Sequence, residues 1–456
     1  RDRAETDRLS EAIGRILPAL EDLNRFQGPA LAGRECATWM AALDEPLPER
    51  GVGLEPVLQV LTETIIPYGL RIGSPGFSGW VTTAPTTAGT AAALAATVAG
   101  AQRYCIQPFN ALETVALRWL AELLGLPGDW LGILTSGGSV ANLVGLGAAR
   151  QWMFERIGHD PARDSLPPHP CGRIYASSEV HHVVTRSAAV LGLGRRAVAS
   201  IAVDDRQRID LDQLCAALEE DRAQGILPVA LVASAGTVNT GAVDPIEQMA
   251  EIASQYGTWL HVDGAYGLFG LLDPRVAPLY RGLERADSAA VDPHKWLAAP
   301  LGCGAAYVRD RALLARAFTL EPAEYLGEES NVSEIESAFD DLGEPPYHHC
   351  SPEHSAPSRG VRVWAILKEI GAEGMRERVI RHNDFARHLA ARVEADSRLE
   401  LLAPPSLSIC CFRYRAPGLG EKELDDLNAE IARRLRACGT YVPTTTRVGG
   451  RFAIRP

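Results

Sequence analysis

Short apolar segments alternate with segments of helical length through the middle of the chain, and this alternation limits the possible folds more than any other feature. The apolar segments lie at 131–134, 173–176, 198–203, 227–233, 258–262, 289–291 and 304–308. Strands that read as continuous apolar runs are typical of parallel sheets covered by helices on both faces. The sequence therefore predicts an α/β fold with a mostly parallel seven-stranded sheet covered by helices.

The rest of the chain is organised around this sheet. We expect an N-terminal helical segment at 1–75, a large domain at 76–358 and a small C-terminal α+β domain at 359–456. An irregular polar segment at about 321–358 is long enough to be a lid or a binding loop. After it, the pattern predicts one helix at 359–370 and a second at 372–395.

Charge and cysteine content exclude several classes of protein. The formal net charge is −12 without a basic cluster, which argues against nucleic acid or an anionic membrane as partner. The nine cysteines are scattered and form no C-x-x-C pair, so we expect reduced thiols in a cytoplasmic protein. Two uncharged stretches, 72–102 and 130–149, are interrupted by proline, glycine or polar residues and are expected to be buried in protein rather than in lipid.

A turn of small and hydroxylated residues follows the first apolar segment and precedes a helix. It reads Thr-Ser-Gly-Gly-Ser at 135–139. Because the N–H groups of a helix N-terminus favour an anion, the turn predicts a phosphate site. A tight turn in which Ser139 caps the helix explains the same residues equally well.

Two more polar motifs follow apolar segments. Asp263 stands in HVDGAY at 261–266, where a buried carboxylate needs a cationic partner or several donors. A structural aspartate that caps the next turn is the alternative. Lys295 stands in DPHKW at 292–296, among apolar and aromatic residues.

Lysine is scarce in this chain. Of the 45 basic residues only Lys295, Lys368 and Lys422 are lysines, and the others are arginines. Lys368 and Lys422 have glutamate neighbours on predicted helices, which is typical of exposed surface. Because only an amine that deprotonates can form a Schiff base with a carbonyl compound, we infer that Lys295 serves a role that arginine cannot fill.

The three motifs all lie at the carboxyl ends of predicted strands, where ligands of such sheets bind. A phosphate site, a buried carboxylate and a Schiff-base lysine together indicate a site for pyridoxal 5′-phosphate (PLP). In such a site the lysine holds the aldehyde carbon, the aspartate faces the pyridinium nitrogen and the helix N-terminus faces the phosphate.

On these motifs the chain resembles the PLP-dependent amino-acid decarboxylases of group II, which include aromatic-L-amino-acid, histidine and glutamate decarboxylases. The resemblance runs from about residue 70 to the end, and its most specific pieces are SSEVHH at 177–182, HVDGAY at 261–266, VDPHKW at 291–296 and SRGVRVWAILKEIG at 358–371. It implies fold type I, the aspartate aminotransferase-like fold. It also implies a homodimer with the active site at the subunit interface and the N-terminal helices packed on the partner.

The resemblance further implies the site residues. Lys295 would form the internal aldimine, Asp263 would keep the pyridine nitrogen protonated, and His181 would stack on the ring. Cofactor contacts would also come from Gly138, Ser139, Thr237 and His294.

Tyr325, in LEPAEYL at 320–326, stands where the family's mobile loop carries a catalytic tyrosine. There it would protonate the quinonoid carbon after CO₂ leaves, while the alternative is an exposed loop residue. Family members with phenylalanine there form an aldehyde oxidatively, so the tyrosine favours simple decarboxylation of an L-amino acid to its amine. The other hypotheses are aldehyde-forming oxidative decarboxylation, another PLP lyase or aminotransferase reaction, and a non-catalytic PLP-binding homologue.

The substrate pocket is expected near two aromatic residues. Trp80 lies in the segment 78–83, which resembles the family's aromatic pocket stretch, and Tyr104 is the second candidate. Arg103 beside it would leave room for a polar or acidic substrate group, although packing at the subunit interface explains these residues equally well. The histidine-rich stretch 348–354 lacks a metal-ligand pattern, so we expect no metal.

Overall fold

The chain folds into two compact units. The computed structural model describes residues 3–25, 30, 36–103, 107–318 and 347–456. The smaller unit comprises Arg1–Ala84, Ser397–Leu402 and Phe412–Pro456, and the larger unit comprises Pro85–Asp396 and Ala403–Cys411.

The described elements are numbered along the chain. The helices are α1 (Arg3–Leu23), α2 (Cys36–Leu43), α3 (Leu54–Val60), α4 (Thr87–Val98), α5 (Gln107–Leu123), α6 (Gly138–Glu155), α7 (Val183–Val190), α8 (Leu211–Ala223), α9 (Ile246–Tyr256), α10 (Arg311–Phe318), α11 (Gly360–Glu394) and α12 (Glu421–Cys438). The strands are β1 (Phe77–Ser78), β2 (Leu131–Thr135), β3 (Gly172–Ser177), β4 (Val198–Ile201), β5 (Leu227–Ser234), β6 (Trp259–Asp263), β7 (Ser288–Val291), β8 (Gly304–Val308), β9 (Leu399–Ala403), β10 (Cys411–Tyr414), β11 (Val442–Val448) and β12 (Arg451–Arg455).

A seven-stranded sheet forms the centre of the larger unit, in the order β2-β8-β7-β6-β5-β3-β4. Strand β8 runs antiparallel to both of its neighbours, and the other pairs are parallel. Every residue of β2, β6 and β8 is buried, as expected for strands covered on both faces. The predicted α/β fold with a mostly parallel seven-stranded sheet is confirmed.

The strand directions bring the polar motifs to one edge of this sheet. Because β8 is antiparallel to both β2 and β7, strand β2 points the same way as the parallel strands β7, β6, β5, β3 and β4. Their carboxyl ends therefore share one edge, which we call the carboxyl edge. Asp263, the last residue of β6, pairs there with Ser234 of β5 and Ala290 of β7.

The long helix α11 is bent at one glycine. Gly371 has φ 65° and ψ 179°, a backbone conformation that interrupts the regular helix and that favours glycine. The bend separates the two helices that the sequence predicts at 359–370 and 372–395. Helix α11 packs on α4 and α5 and therefore groups with the larger unit, whereas the sequence predicts that it belongs to the C-terminal domain at 359–456.

The smaller unit contains its own five-stranded sheet, in the order β1-β11-β12-β10-β9. Helix α12 packs on β11 and β12, and Arg413 of β10 is buried in ion pairs with Glu400 and Glu421, each at 2.7 Å. Within the described residues, none of the helices is both long and apolar enough to cross a membrane.

Candidate active site

The turn at 135–139, which we call the α6 turn, brings the first turn of helix α6 to the carboxyl edge. Gly137 has φ 144°, which favours glycine. A Cβ atom on Gly138 would lie 2.6 Å from Oδ2 of Asp292, so only glycine allows this close approach. The N-cap residue is Gly137, and Ser139 lies inside the first turn, so Ser139 is not the cap of the helix. The first N–H groups of a helix have no hydrogen-bond partners within the helix, so those of the α6 turn can donate to a bound anion.

Asp263 lies buried at the end of β6, with 8% of its surface exposed. Its Oδ1 accepts hydrogen bonds from Nδ2 of Asn142 at 3.3 Å and from the backbone N–H of Ala265 at 3.2 Å. No arginine or lysine in the described ranges forms an ion pair with it. A buried carboxylate without its own cation is costly, and it fits a ligand that presents a protonated ring nitrogen.

Lys295 follows strand β7 in a loop, residues 292–303, that we call the lysine loop. Its Nζ lies 3.0 Å from Oδ2 of Asp292, and 23% of its side chain is exposed. Lys368 and Lys422 are both exposed at the surface. The one partly buried lysine of the chain is thus the one at the carboxyl edge.

His181 lies between β3 and α7 and shares its surroundings with Asp263 and Lys295. Burial lowers the pKa of His181, Asp263 opposes this change, and His182 and Lys295 add to it. Its Nδ1 accepts a hydrogen bond from the N–H of Val183 at 3.3 Å, as expected for a neutral ring. A neutral, half-buried imidazole beside the charged groups of Asp263 and Lys295 can stack on the face of a flat aromatic ligand.

His294 and Thr237 complete the predicted set. Nδ1 of His294 donates to the carbonyl of Cys303 at 2.7 Å, and its ring lies against the α6 turn, where a Cβ on Gly137 would be 3.2 Å away. Thr237 is buried in the loop after β5, where its hydroxyl accepts from the N–H of Ala242 at 3.2 Å. The structure therefore brings His294 to the α6 turn, whereas the contacts of Thr237 lie within its own loop.

A series of buried hydrogen bonds that was not predicted from the sequence supports Asp263. Ser288 donates to Nδ1 of His261 at 2.8 Å, and Nε2 of His261 donates to Oδ1 of Asn142 at 2.9 Å. The amide of Asn142 then donates to Asp263 and, at 2.8 Å, to the carbonyl of Gly138. Burial lowers the pKa of His261 to about 4, so the ring stays neutral and keeps this donor pattern.

Two sequence patterns could have identified these hydrogen-bonded residues. His261 and Asp263 are two residues apart on β6 and so lie on the same face of the sheet. Asn142 is the one amide among small and apolar residues in the first turns of α6. Gly145 also contributes, because a Cβ there would lie 2.6 Å from the His261 ring.

Replacing Asn142 by alanine should weaken cofactor binding and turnover, because Asp263 loses its donor and His261 its acceptor. We expect each to fall about tenfold, with KM for the substrate changed less than about twofold. PLP titration followed by absorbance and steady-state kinetics measure both effects. The matched control is Asn428→Ala, which removes a buried amide bonded to the backbone of Tyr414 in the smaller unit and should lower only the melting temperature. An unchanged PLP affinity in Asn142→Ala would show that Asn142 does not position Asp263.

Four candidates remain, Trp80, Arg103, Tyr104 and Tyr325. Tyr104 and Tyr325 lie outside the described residues. Trp80 belongs to the smaller unit, where it is 63% exposed and its carbonyl accepts from Arg455 at 3.4 Å. Arg103 is 1% exposed, and its Nε lies 3.2 Å from Glu113, so this guanidinium is used inside the protein and does not offer a charge to a polar substrate.

The chain is similar to proteins of known activity over most of its length. Residues 38–415 match the family model described as the pyridoxal-dependent decarboxylase conserved domain. An aromatic-L-amino-acid decarboxylase of Bacillus atrophaeus is 29% identical over 427 residues, covering 91% of this chain and 83% of that protein. A phenylacetaldehyde synthase of Petunia hybrida is 27% identical over 431 residues, covering 91% of this chain and 82% of that protein.

Solved structures share the fold. The structure of Oryza sativa TDC with PLP and tryptamine is 25% identical and superimposes with a TM-score of 0.87, covering 100% of this chain and 93% of that chain. This likeness confirms fold type I, and the PLP in that structure agrees with the cofactor inferred from the sequence.

Proposed function

This chain belongs to the pyridoxal-dependent decarboxylase family, and we propose that Lys295, Asp263 and the α6 turn form the site at which it removes CO₂ from an aromatic L-amino acid. The enzyme is a PLP-dependent carboxy-lyase. The proposal for the site rests above all on one observation. The single lysine that is not fully at the surface lies at the carboxyl edge, with a helix N-terminus and a buried carboxylate that has no cationic partner among the described residues beside it.

Each residue of this site has a distinct task. When bound, PLP accepts the electron pair that departing CO₂ leaves at the substrate Cα. Lys295 would hold the aldehyde end, and the carboxylate of Asp263 would keep a proton on the ring nitrogen. The α6 turn, with Gly138, Ser139 and the ring of His294, would hold the phosphate.

The remaining tasks are orientation and proton delivery. The neutral ring of His181 would lie on the face of the cofactor, and with the buried strand ends it would exclude water from the reacting atoms. Tyr325 would return a proton to Cα after CO₂ leaves. We further propose a homodimer, as the family resemblance implies, and a cytoplasmic location, as the scattered cysteines favour.

The aromatic substrate class is supported by the Bacillus relative, whose name states that activity. The petunia relative, named phenylacetaldehyde synthase, favours a second candidate function, the oxidative formation of an aldehyde. That reaction consumes O₂ and water and releases CO₂, aldehyde, ammonia and hydrogen peroxide. Simple decarboxylation releases only CO₂ and the amine.

The products of one turnover separate these functions. The purified holoenzyme is incubated with each common L-amino acid, and CO₂, amine, aldehyde, ammonia and peroxide are quantified. We expect equal amounts of CO₂ and amine from an aromatic L-amino acid, without peroxide. Equal amounts of aldehyde, ammonia and peroxide would establish the second function. No turnover of any amino acid would support a non-catalytic PLP-binding homologue.

Replacing Tyr325 by phenylalanine should change the product. Without the phenolic proton donor, amine formation should fall about 100-fold, and aldehyde and peroxide should become the main products. The control is Tyr347→Phe, which removes a buried hydroxyl that lies 2.8 Å from Thr114 and should leave the products unchanged. Amine formation at the original rate in Tyr325→Phe would exclude Tyr325 as the proton donor.

A further inference from the structure

A carboxylate stands beside the proposed phosphate position. Asp292, the first residue of the lysine loop, is 1% exposed. Its Oδ2 lies 3.0 Å from Nζ of Lys295 and 3.7 Å from Nε2 of His294. A Cβ on Gly138 would lie 2.6 Å from Oδ2, and one on Gly304 would lie 2.7 Å from Oδ1. The two carboxylate oxygens are thus enclosed between the α6 turn and the start of β8.

One of these oxygens lacks a hydrogen-bond partner. Oδ1 of Asp292 is buried without one among the described residues, which is costly for a charged oxygen. A phosphate held by the α6 turn would bring a second anion to the same place. Two negative charges at close range disfavour each other's ionised form. The carboxylate of Asp292 and the phosphate are therefore more stable side by side when they share one proton.

We propose that Asp292 links cofactor binding to a proton: it is ionised and paired with Lys295 in the cofactor-free enzyme, and protonated, donating to the phosphate, when the cofactor is bound. This inference rests on the proposed PLP site. It assigns Asp292 as a positioning residue that sets how cofactor affinity depends on pH.

The groups around Asp292 support this role. Lys295 and His294 face it from its own loop, Asp263 faces it from β6, and Cys303 precedes β8 next to it. Burial raises the pKa of Asp292, Lys295 and His294 oppose that change, and Asp263 adds to it. The carboxyl group therefore takes up a proton more readily than an exposed aspartate does.

The sign of the pH dependence follows from linkage. A bound phosphate raises the pKa of Asp292 further, so binding takes up a proton at any pH between the lower value in the free enzyme and the higher value in the complex. Within that interval, affinity falls as pH rises, by up to about tenfold per pH unit. Below the lower pKa, Asp292 is already protonated and adds no pH dependence.

The test uses a ligand that cannot attach to Lys295. Pyridoxine 5′-phosphate carries the phosphate but no aldehyde, and pyridoxine carries neither. Dissociation constants are measured for the full-length cofactor-depleted protein and for Asp292→Asn. The variant should bind pyridoxine 5′-phosphate more tightly than the wild type, by up to about tenfold at alkaline pH, and this difference should shrink as the pH falls. Binding of pyridoxine should differ less than about twofold.

Asp287→Asn is the matched control. Asp287 directly precedes strand β7, whereas Asp292 directly follows it. The carboxylate of Asp287 accepts a hydrogen bond from the N–H of Leu260 at 2.8 Å, and burial raises the pKa of Asp287 as it does that of Asp292. This variant should bind pyridoxine 5′-phosphate as the wild type does at every pH. A constant ratio between wild type and Asp292→Asn across the pH range would overturn the proposal.

Proton counting on the wild type tests the same inference if Asp292→Asn does not fold. Calorimetry in buffers of different ionisation enthalpy should detect net proton uptake on binding of pyridoxine 5′-phosphate, in the pH interval where the affinity of the wild type falls with rising pH. No uptake, or proton release, would overturn the role of Asp292. If pyridoxine 5′-phosphate does not bind the wild type at all, the proposed cofactor site itself is wrong.

Discussion

Replacing Lys295 by alanine should abolish amino-acid decarboxylation, with a loss on the order of 10⁴-fold or more. The variant loses the one amine at the carboxyl edge that can attach the cofactor, and neither exposed lysine can substitute for it. The visible absorption of the protein-bound cofactor should disappear as well. Steady-state kinetics and an absorption spectrum of the purified variant measure both effects.

The other two lysines provide matched controls. Lys368→Ala and Lys422→Ala make the same substitution at exposed positions, and both variants should retain wild-type activity and the visible band. If Lys295→Ala kept the band, or if either control lost it, the assignment of Lys295 would be wrong.

Replacing Asp263 by asparagine should lower kcat/KM by about 10³-fold. The substitution preserves the size of the side chain but removes the buried negative charge that would face the ring nitrogen. We expect the cofactor to remain bound with lower affinity, so kinetics are measured at saturating PLP. A loss smaller than about tenfold would mean that the charge of Asp263 does not support the reaction.

Asp221→Asn controls for the loss of a buried carboxylate. Asp221 accepts from Tyr175 and pairs with Arg173, each at 2.7 Å, and Arg173 lies near the start of β3, away from the carboxyl edge. This variant should lose about 2 kcal/mol of stability and keep its kcat. Thermal unfolding of both variants separates the effect on stability from the effect on chemistry.

The fold was predictable because its determinants are local. Apolar runs of strand length produced the seven strands of the large sheet, and a glycine at 371 separated the two predicted helices. Helix α7 begins at Val183, because residues 178–182 form the turn that presents His181. The grouping of α11 with the larger unit depends on its packing partners, which the local pattern does not contain.

Site residues could be predicted from the sequence where their residue type has few uses other than the proposed chemical role. Lysine scarcity led to Lys295, and strand ends led to Asp263. The supporting residues were missed because asparagine and histidine have many structural uses, and only the contact between Asn142 and His261 reveals a shared task. Arg103 shows the opposite error, since its burial against Glu113 is a tertiary contact that the local sequence pattern does not contain.

The most direct test of the account is to locate the cofactor on the chain. Reduction of the holoenzyme with borohydride fixes PLP to the amine that carries it, and peptide mass spectrometry then identifies the modified residue. We predict that the modified peptide contains Lys295 and that modification is nearly complete. Modification of Lys368 or Lys422 instead, or an unmodified Lys295 in an active enzyme, would contradict the account.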